Sequence, residues 1–159
     1  MINPKVKELM NVQINKEIYS AYLYLEFANY FQEIGLNGFA SWYKKQAEEE
    51  LEHAMKFNDY LYSQGEKVEL LPVEAPKVKF DGPRDALVQG LKHEEYVTSL
   101  IEKIFQAARE GNDYRSIRFL NWFIDEQTEE EENAHELIGK FDLAKDQLYL
   151  LDKELKKRD

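Results

Sequence analysis

Apolar residues recur at steps of three and four along four long stretches of this chain, the period of a helix that buries one face. The first stretch opens at Asn3-Pro4, an N-cap followed by proline at the first helical position, and runs to about Glu33 before Gly35. Its inward stripe is Met10, Gln13, Glu17, Ala21, Tyr24, Ala28 and Phe31. The second, capped by Asn37, reaches about Gln64, where Gly65 supplies a left-handed stop; its stripe is Phe39, Tyr43, Gln46, Glu50, His53, Phe57 and Tyr60. The third follows Asp81-Gly82-Pro83 and ends near Gly111, with Leu87, Gly90, Glu94, Val97, Ile101, Ile104 and Ala108 on one side. The fourth spans about Tyr114 to Lys140 and carries Leu120, Phe123, Gln127, Glu130, Ala134, Leu137 and Phe141.

Each helix is expected to have roughly 27 residues and a length of about 40 Å. The first and last connections are short, which predicts two antiparallel hairpins. Between them, Glu66 to Gly82 contains Pro72 and Pro76 and shows no helical period. Extended, it can run back along the bundle and leave the second and third helices parallel. A short amphipathic segment, about Ala144 to Lys156, places Leu148, Leu151 and Leu155 on one side and predicts a fifth helix too short to stand alone. The expected fold is an all-α four-helix bundle with a long crossover and a short C-terminal helix, forming a single domain over residues 1–159.

The stripes are interrupted by carboxylates. Glu17, Glu50, Glu94 and Glu130, with His53 and Gln127, lie within a few residues of helix midpoints near 18, 50, 97 and 127. A central position stays central whether a helix runs up or down, so all of them are expected in one plane of the bundle. Carboxylates facing a bundle interior are costly unless a cation or a hydrogen-bond donor compensates them. Any one of them alone reads better as a hydrogen-bonded core residue, but four at one level ask for metal. Glu50 and His53 share a helical face, so a carboxylate oxygen and an imidazole nitrogen can bind the same ion. Oxygen-rich ligation with one imidazole suits Fe(II), Mn(II) or Zn(II), and four glutamates balance two divalent ions.

Composition narrows this further. The chain has 159 residues, 43% apolar and 33% charged, with only 7 Gly and 4 Pro, which favours long helices in one domain. A formal net charge of −10 would repel nucleic acid and draw cations. With no cysteine, disulfides, thiolate sites and iron–sulfur clusters are excluded, and any metal must use oxygen and nitrogen ligands. No stretch approaches eighteen apolar residues and the start lacks an apolar leader, so a cytoplasmic protein without membrane association is expected.

The segments NKEIYSAYLY, QAEEELEHA, KHEEYV and DEQTEEE resemble the ferroxidase motifs on the four helices of ferritins, most closely the haem-free bacterial and archaeal kind. The resemblance covers essentially the whole chain. It implies that Glu17, Glu50 and His53 bind one iron and that Glu50, Glu94 and Glu130 bind a second, with Gln127 close by. It also implies a third iron site at Glu49, Glu126, Glu129 and Glu130, and a tyrosine beside the centre, Tyr24, that hydrogen-bonds a ligand or supplies an electron. Iron storage with ferroxidase activity follows: Fe(II) is oxidised by O2 and stored as ferric oxo-hydroxide in a homo-oligomeric cage of 24 subunits, the fifth helix lining its four-fold channels.

Two departures shape the expectation. Bacterioferritins carry a second E-x-x-H whose histidine position is Asn133 here, and their haem-ligating methionine corresponds to Leu51. No haem is therefore expected, and the two metal sites should be asymmetric. Glu132 and His135 form an offset E-x-x-H rotated away from Glu130 and read as a solvated or contact surface. His93 is expected to face away from the centre, Trp42 and Trp122 to pack, and Tyr24 to serve either as core or in redox chemistry. Glu49, Glu126 and Glu129, without the resemblance, read as a solvated acidic face. Competing readings are a non-storing di-iron oxidase or peroxidase of rubrerythrin-like type, a DNA-protecting mini-cage protein with its iron site between subunits, and a purely structural bundle.

Overall fold

The computed structural model describes residues 2–158 and consists of helices α1 (Pro4–Glu33), α2 (Asn37–Ser63), α3 (Pro83–Glu110) and α4 (Tyr114–Ala144), a single 3-10 turn (Lys145–Gln147), and α5 (Leu148–Leu155). Asn3 Oδ1 caps α1, accepting from the amides of Lys5 and Val6 at 2.9 and 3.3 Å, while Pro4 starts it. The other end closes at Gly35, whose φ of 82° lets the Leu36 amide reach the Phe31 carbonyl at 2.9 Å.

That closure overturns the expected cap of α2. It draws Leu36 into the N-cap position, so Asn37 is already helical and its side chain accepts instead from Gln32 Nε2 at 2.9 Å. Leu36 has no side chain with which to cap. Asp152 of α5 takes over, its Oδ1 accepting from the Phe39 amide at 2.9 Å while buried beside the helix start. α5 approaches so closely that a Cβ built on Gly38 would sit 1.6 Å from the Asp152 carbonyl oxygen. We expect Gly38→Ala to expel α5 from this end, lowering stability by about 1–3 kcal/mol, read as a reduced melting temperature with increased protease cleavage near residue 150. Unchanged melting would show that the contact is dispensable.

α4 is four residues longer than its pattern suggested. No breaker intervenes until Lys145, at φ 50°, and the added turn is held by Arg84, whose Nε and Nη2 donate to Asp142 at 2.8 and 3.0 Å.

Contacts between elements fix the topology. Tyr60 near the end of α2 meets Ser116 at the start of α4 (2.9 Å), and Phe39 at the start of α2 meets Phe141 near the end of α4. The Asn3 amide donates to Asp113 Oδ2 at 3.0 Å, joining the start of α1 to the α3–α4 turn. α1 and α2 are therefore antiparallel, as are α3 and α4, and α2 runs parallel to α3. The parallel pair is made possible by residues 64–82, which lie extended along α1. Asn11 holds this crossover in both directions at Glu69, Nδ2 donating to its carbonyl and Oδ1 accepting from its amide, each at 2.9 Å. Val68 packs at one end of the bundle, Val78 and Phe80 at the other.

The apolar interior is split in two. One cluster, with Val6, Met10, Phe57, Ile101, Leu120 and Phe123, fills the end near the α3–α4 turn. The other, with Tyr24, Phe27, Phe31, Phe39, Tyr43 and Leu87, fills the end covered by α5. Every residue of the α1 and α3 stripes is buried; Tyr60, Ala134 and Phe141 of the other two are partly exposed. Between the two clusters lies a polar layer.

Candidate metal centre

Four helices contribute that layer. Glu17 comes from α1, Glu50 and His53 from one face of α2, Glu94 from α3, and Gln127 and Glu130 from one face of α4, and none is more than 4% exposed. Two groups of ligand atoms converge within 4.8 Å: Glu17, Glu50 and His53, and Glu50, Glu94 and Glu130. Glu50 belongs to both. His53 Nδ1 lies 3.4 Å from Glu50 Oε2 and 3.8 Å from Glu17 Oε2.

Three buried atoms here have no hydrogen-bond partner: Glu17 Oε2, Glu50 Oε2 and His53 Nδ1. All three belong to the first group and face one another. An unpartnered polar atom in a protein interior costs about 1–3 kcal/mol, so three at one point describe a cradle that a cation could complete. His53 Nε2 faces Glu126 Oε1 at 3.6 Å. With an ion on Nδ1, the remaining ring proton would sit on Nε2 facing Glu126, the usual carboxylate–histidine–metal order.

Amides and a phenol orient the remaining oxygens. Gln13 Nε2 donates to Glu17 Oε1 at 3.0 Å and Gln46 Nε2 to Glu50 Oε1 at 3.3 Å, each from one turn earlier on the same helix. Gln46 Nε2 also donates to Glu130 Oε2 across the bundle, and Tyr24 Oη donates to Glu94 Oε1. Gln127 Nε2 reaches Glu94 Oε2 and the Glu94 carbonyl, both at 3.2 Å, and Thr98 Oγ1 at 3.1 Å.

Burial and mutual repulsion set the protonation of these acids. Burial, with the charges of Glu94 and Glu17, pushes Glu50 well above the usual carboxylate range. Burial raises Glu94 to about 7, though the bonds from Tyr24 and Gln127 oppose it, and raises Glu130 to about 8 with help from the Glu94 charge. Glu17 goes the other way: burial would raise it, but its interactions with His53 and Glu50 prevail and lower it. For His53, burial favours the neutral ring, yet Glu126, Glu17 and Glu50 outweigh it and raise its pKa. Tyr24 is raised well above its ordinary value by burial and by Glu94, so it remains a neutral donor.

The flanking acids are less enclosed. Glu49, partly buried, pairs with Arg158 at 3.1 Å; Glu126 backs His53; Glu129 is exposed. None of these three joins a ligand group with the others among the described residues. Glu132 and His135 are both exposed. His93 stays outside the ligand groups but does not turn to solvent: its Nε2 lies 2.8 Å from Ser20 Oγ, and its ring meets Tyr24 edge-on at 5.5 Å. Burial lowers its pKa to about 4, so it packs neutral behind the tyrosine. Trp42 packs as expected; Trp122 is 41% exposed, edge-on to His53 and under Lys56 Nζ at 4.2 Å.

Periodicity placed Gln13 and Gln46 on the inner stripes without showing what they hold. The signal was there, an amide four residues before Glu17 and another four before Glu50. Thr98 and Arg158 had no such signature.

The same arrangement of helices occurs in known proteins. A family model for the ferritin-like domain matches residues 7–144. Bacterial non-heme ferritins are similar across the chain: that of Staphylococcus haemolyticus is 36% identical over 161 residues, covering 99% of this chain and 97% of the relative. That of Staphylococcus aureus is 35% identical over 158 residues, covering 98% and 95%. Among solved structures, the open-pore ferritin of the hyperthermophilic archaeon Archaeoglobus fulgidus superimposes with a TM-score of 0.96 at 42% identity over all of both chains. An engineered closed form of the same ferritin matches with the same score and identity, covering 100% of this chain and 99% of the other.

Proposed function

This chain belongs to the ferritin family, and we propose that its central polar layer is a ferroxidase centre that oxidises Fe(II) for storage. The carrying observation is the trio of unpartnered buried ligand atoms, Glu17 Oε2, Glu50 Oε2 and His53 Nδ1, beside a second carboxylate group that shares Glu50. Iron is the substrate. Fe(II) enters as a dication and displaces protons from Glu50, Glu94 and Glu130, whose raised pKa values leave protons to give up near neutrality. Four glutamates then balance the charge of two Fe(II).

Each Fe(II) loses one electron, and O2 accepts the pair. Placing both ions against one shared carboxylate lets a single O2 meet two donors without diffusion between them. Tyr24 holds Glu94 through its hydroxyl, and Gln127 holds the other oxygen, so the acid keeps its orientation as charge builds on the metals. The two ends are chemically unequal: the first group offers an imidazole and the second offers oxygen alone. Oxidised iron in the second group should therefore leave more readily for a mineral store. A homo-oligomeric cage of 24 subunits, in the cytoplasm, is the assembly proposed to hold it. No described helix is long and apolar enough to cross a membrane, which fits that placement.

Anaerobic loading with Fe(II), followed by O2 and absorbance on the size-separated oligomer, tests the proposal. Fast oxidation by a large species that retains far more iron than its ligand groups alone could hold is expected. A small species, or oxidation no faster than in buffer, would leave the non-storing oxidase as the better reading.

A further inference from the structure

The C-terminal tail returns to the metal layer. Three residues beyond the buried Leu155, Arg158 Nη1 donates to the Trp42 carbonyl at 2.9 Å and its guanidinium stacks on the Trp42 ring at 4.0 Å. Nη2 donates to Gln46 Oε1 at 2.9 Å and to Glu49 Oε2 at 3.1 Å. The three partners lie at 42, 46 and 49, along one face of α2. With only 17% of its side chain exposed, the guanidinium is held in place rather than waving in solvent.

Gln46 is the link that matters. An amide has two ends, and Arg158, which can only donate, requires the oxygen on its own side. That choice turns Nε2 toward the metal layer, where it donates to Glu130 Oε2 and Glu50 Oε1. Without the guanidinium, the reverse rotamer becomes available. It would point Oε1 at two carboxylates, which repel it once they ionise.

We propose that Arg158 is a positioning residue of the metal centre, fixing the polarity of Gln46 so that its Nε2 holds Glu130 as a ligand of the second ion. This rests on the ferroxidase reading above. The arrangement is directional: Glu130 belongs only to the second group, and Glu50 is held less closely, so loss of Arg158 falls mainly on the second ion. A planar fork reaching two acceptors and an aromatic face suits Arg and not Lys.

Stepwise anaerobic Co(II) binding, followed by calorimetry and visible absorption, provides a readout independent of turnover. In the wild-type chain, two ions per subunit are expected. Arg158→Gln should weaken the second by about 10–100-fold, the usual cost of losing an outer partner of a ligand, and the first by no more than about twofold. Gln46→Met should show the same selective loss, and the double variant should be no worse than Gln46→Met alone, since both act through one amide. Equal weakening of both ions, no weakening, or an additive loss in the double variant would overturn the proposal. Thermal melting and oligomer size, unchanged in Arg158→Gln, separate positioning from misfolding. Should the wild-type chain bind no Co(II), the ferroxidase reading itself fails, whatever Arg158 does.

Discussion

Glu50→Ala is expected to lower the initial rate of Fe(II) oxidation by more than about 100-fold, well beyond the effect of removing an outer partner. The reason is geometric: Glu50 is the one carboxylate in both ligand groups, so its loss opens both at once. The contrast with Glu130→Ala is informative. That change removes a ligand from the second group alone, so fast two-electron oxidation stops while one ion still binds at Glu17, Glu50 and His53. Stability should not follow activity. Glu50 is crowded by Glu94 and Glu17, and its removal relieves repulsion in the metal-free bundle. The metal-free variant should melt no more than a few degrees below the parent, whereas the rise in melting temperature on adding divalent metal should vanish. Wild-type oxidation rates in both variants would exclude this centre.

The metal-free protein should lose stability as pH rises from about 5 to 8, the reverse of ordinary acid denaturation. Glu94, at about 7, and Glu130, at about 8, are raised from the 4.5 of an unperturbed glutamate. Between these values, the folded chain keeps protons that the unfolded chain has released. Stability therefore falls with pH, by about 1.4 kcal/mol per unit for each such group, until its folded pKa is passed. Glu50, also raised, acts in the same sense. His53, raised above 6.5, adds to the loss beyond that pH. Glu17 is lowered, so its opposite contribution is confined to pH below 4.5; His93, lowered by burial to about 4, opposes the trend up to about pH 6.5, where Glu94, Glu130 and Glu50 together outweigh it. Divalent metal should reverse the trend, because ions compete with those protons and bind more tightly as pH rises. Melting curves of the stripped protein from pH 5.5 to 8 will check the sign. Glu130→Gln should flatten the slope, and a flat or rising wild-type curve would rule the account out.

Much of this could be read from the chain because a long helix converts spacing into direction. Glu17, Glu50, Glu94 and Glu130 were placed on inward faces by period alone, and at one level by lying near helix midpoints. Both inferences survive any uncertainty about which helix runs which way. The long-range choices were not readable. Asn37 looked like a cap, but the closure at Gly35 moved the helix start, and the true acceptor came from Asp152, 113 residues beyond the Phe39 amide it caps. Arg158 sits in a polar tail with no period, so nothing local shows that it stacks on Trp42. The hold of Asn11 on the crossover was hidden for a similar reason: an exposed asparagine on a helix has many equivalent partners until the chain returns beside it.

The borrowed cap of α2 also sets an order of events. A hairpin normally finishes its helix ends with residues close at hand, so it can mature as it leaves the ribosome. Here the amide of Phe39 must wait for Asp152, 113 residues further along the chain. Until then, the first turn of α2 stays frayed at the very end that α5 will cover. The segment around α5 thus reports to the middle of the molecule that all four long helices are in place: Asp152 finishes the helix, and Arg158, six residues on, reaches the amide beside the metal layer. A chain ending before Asp152 would keep its four ligand helices and lose both signals together.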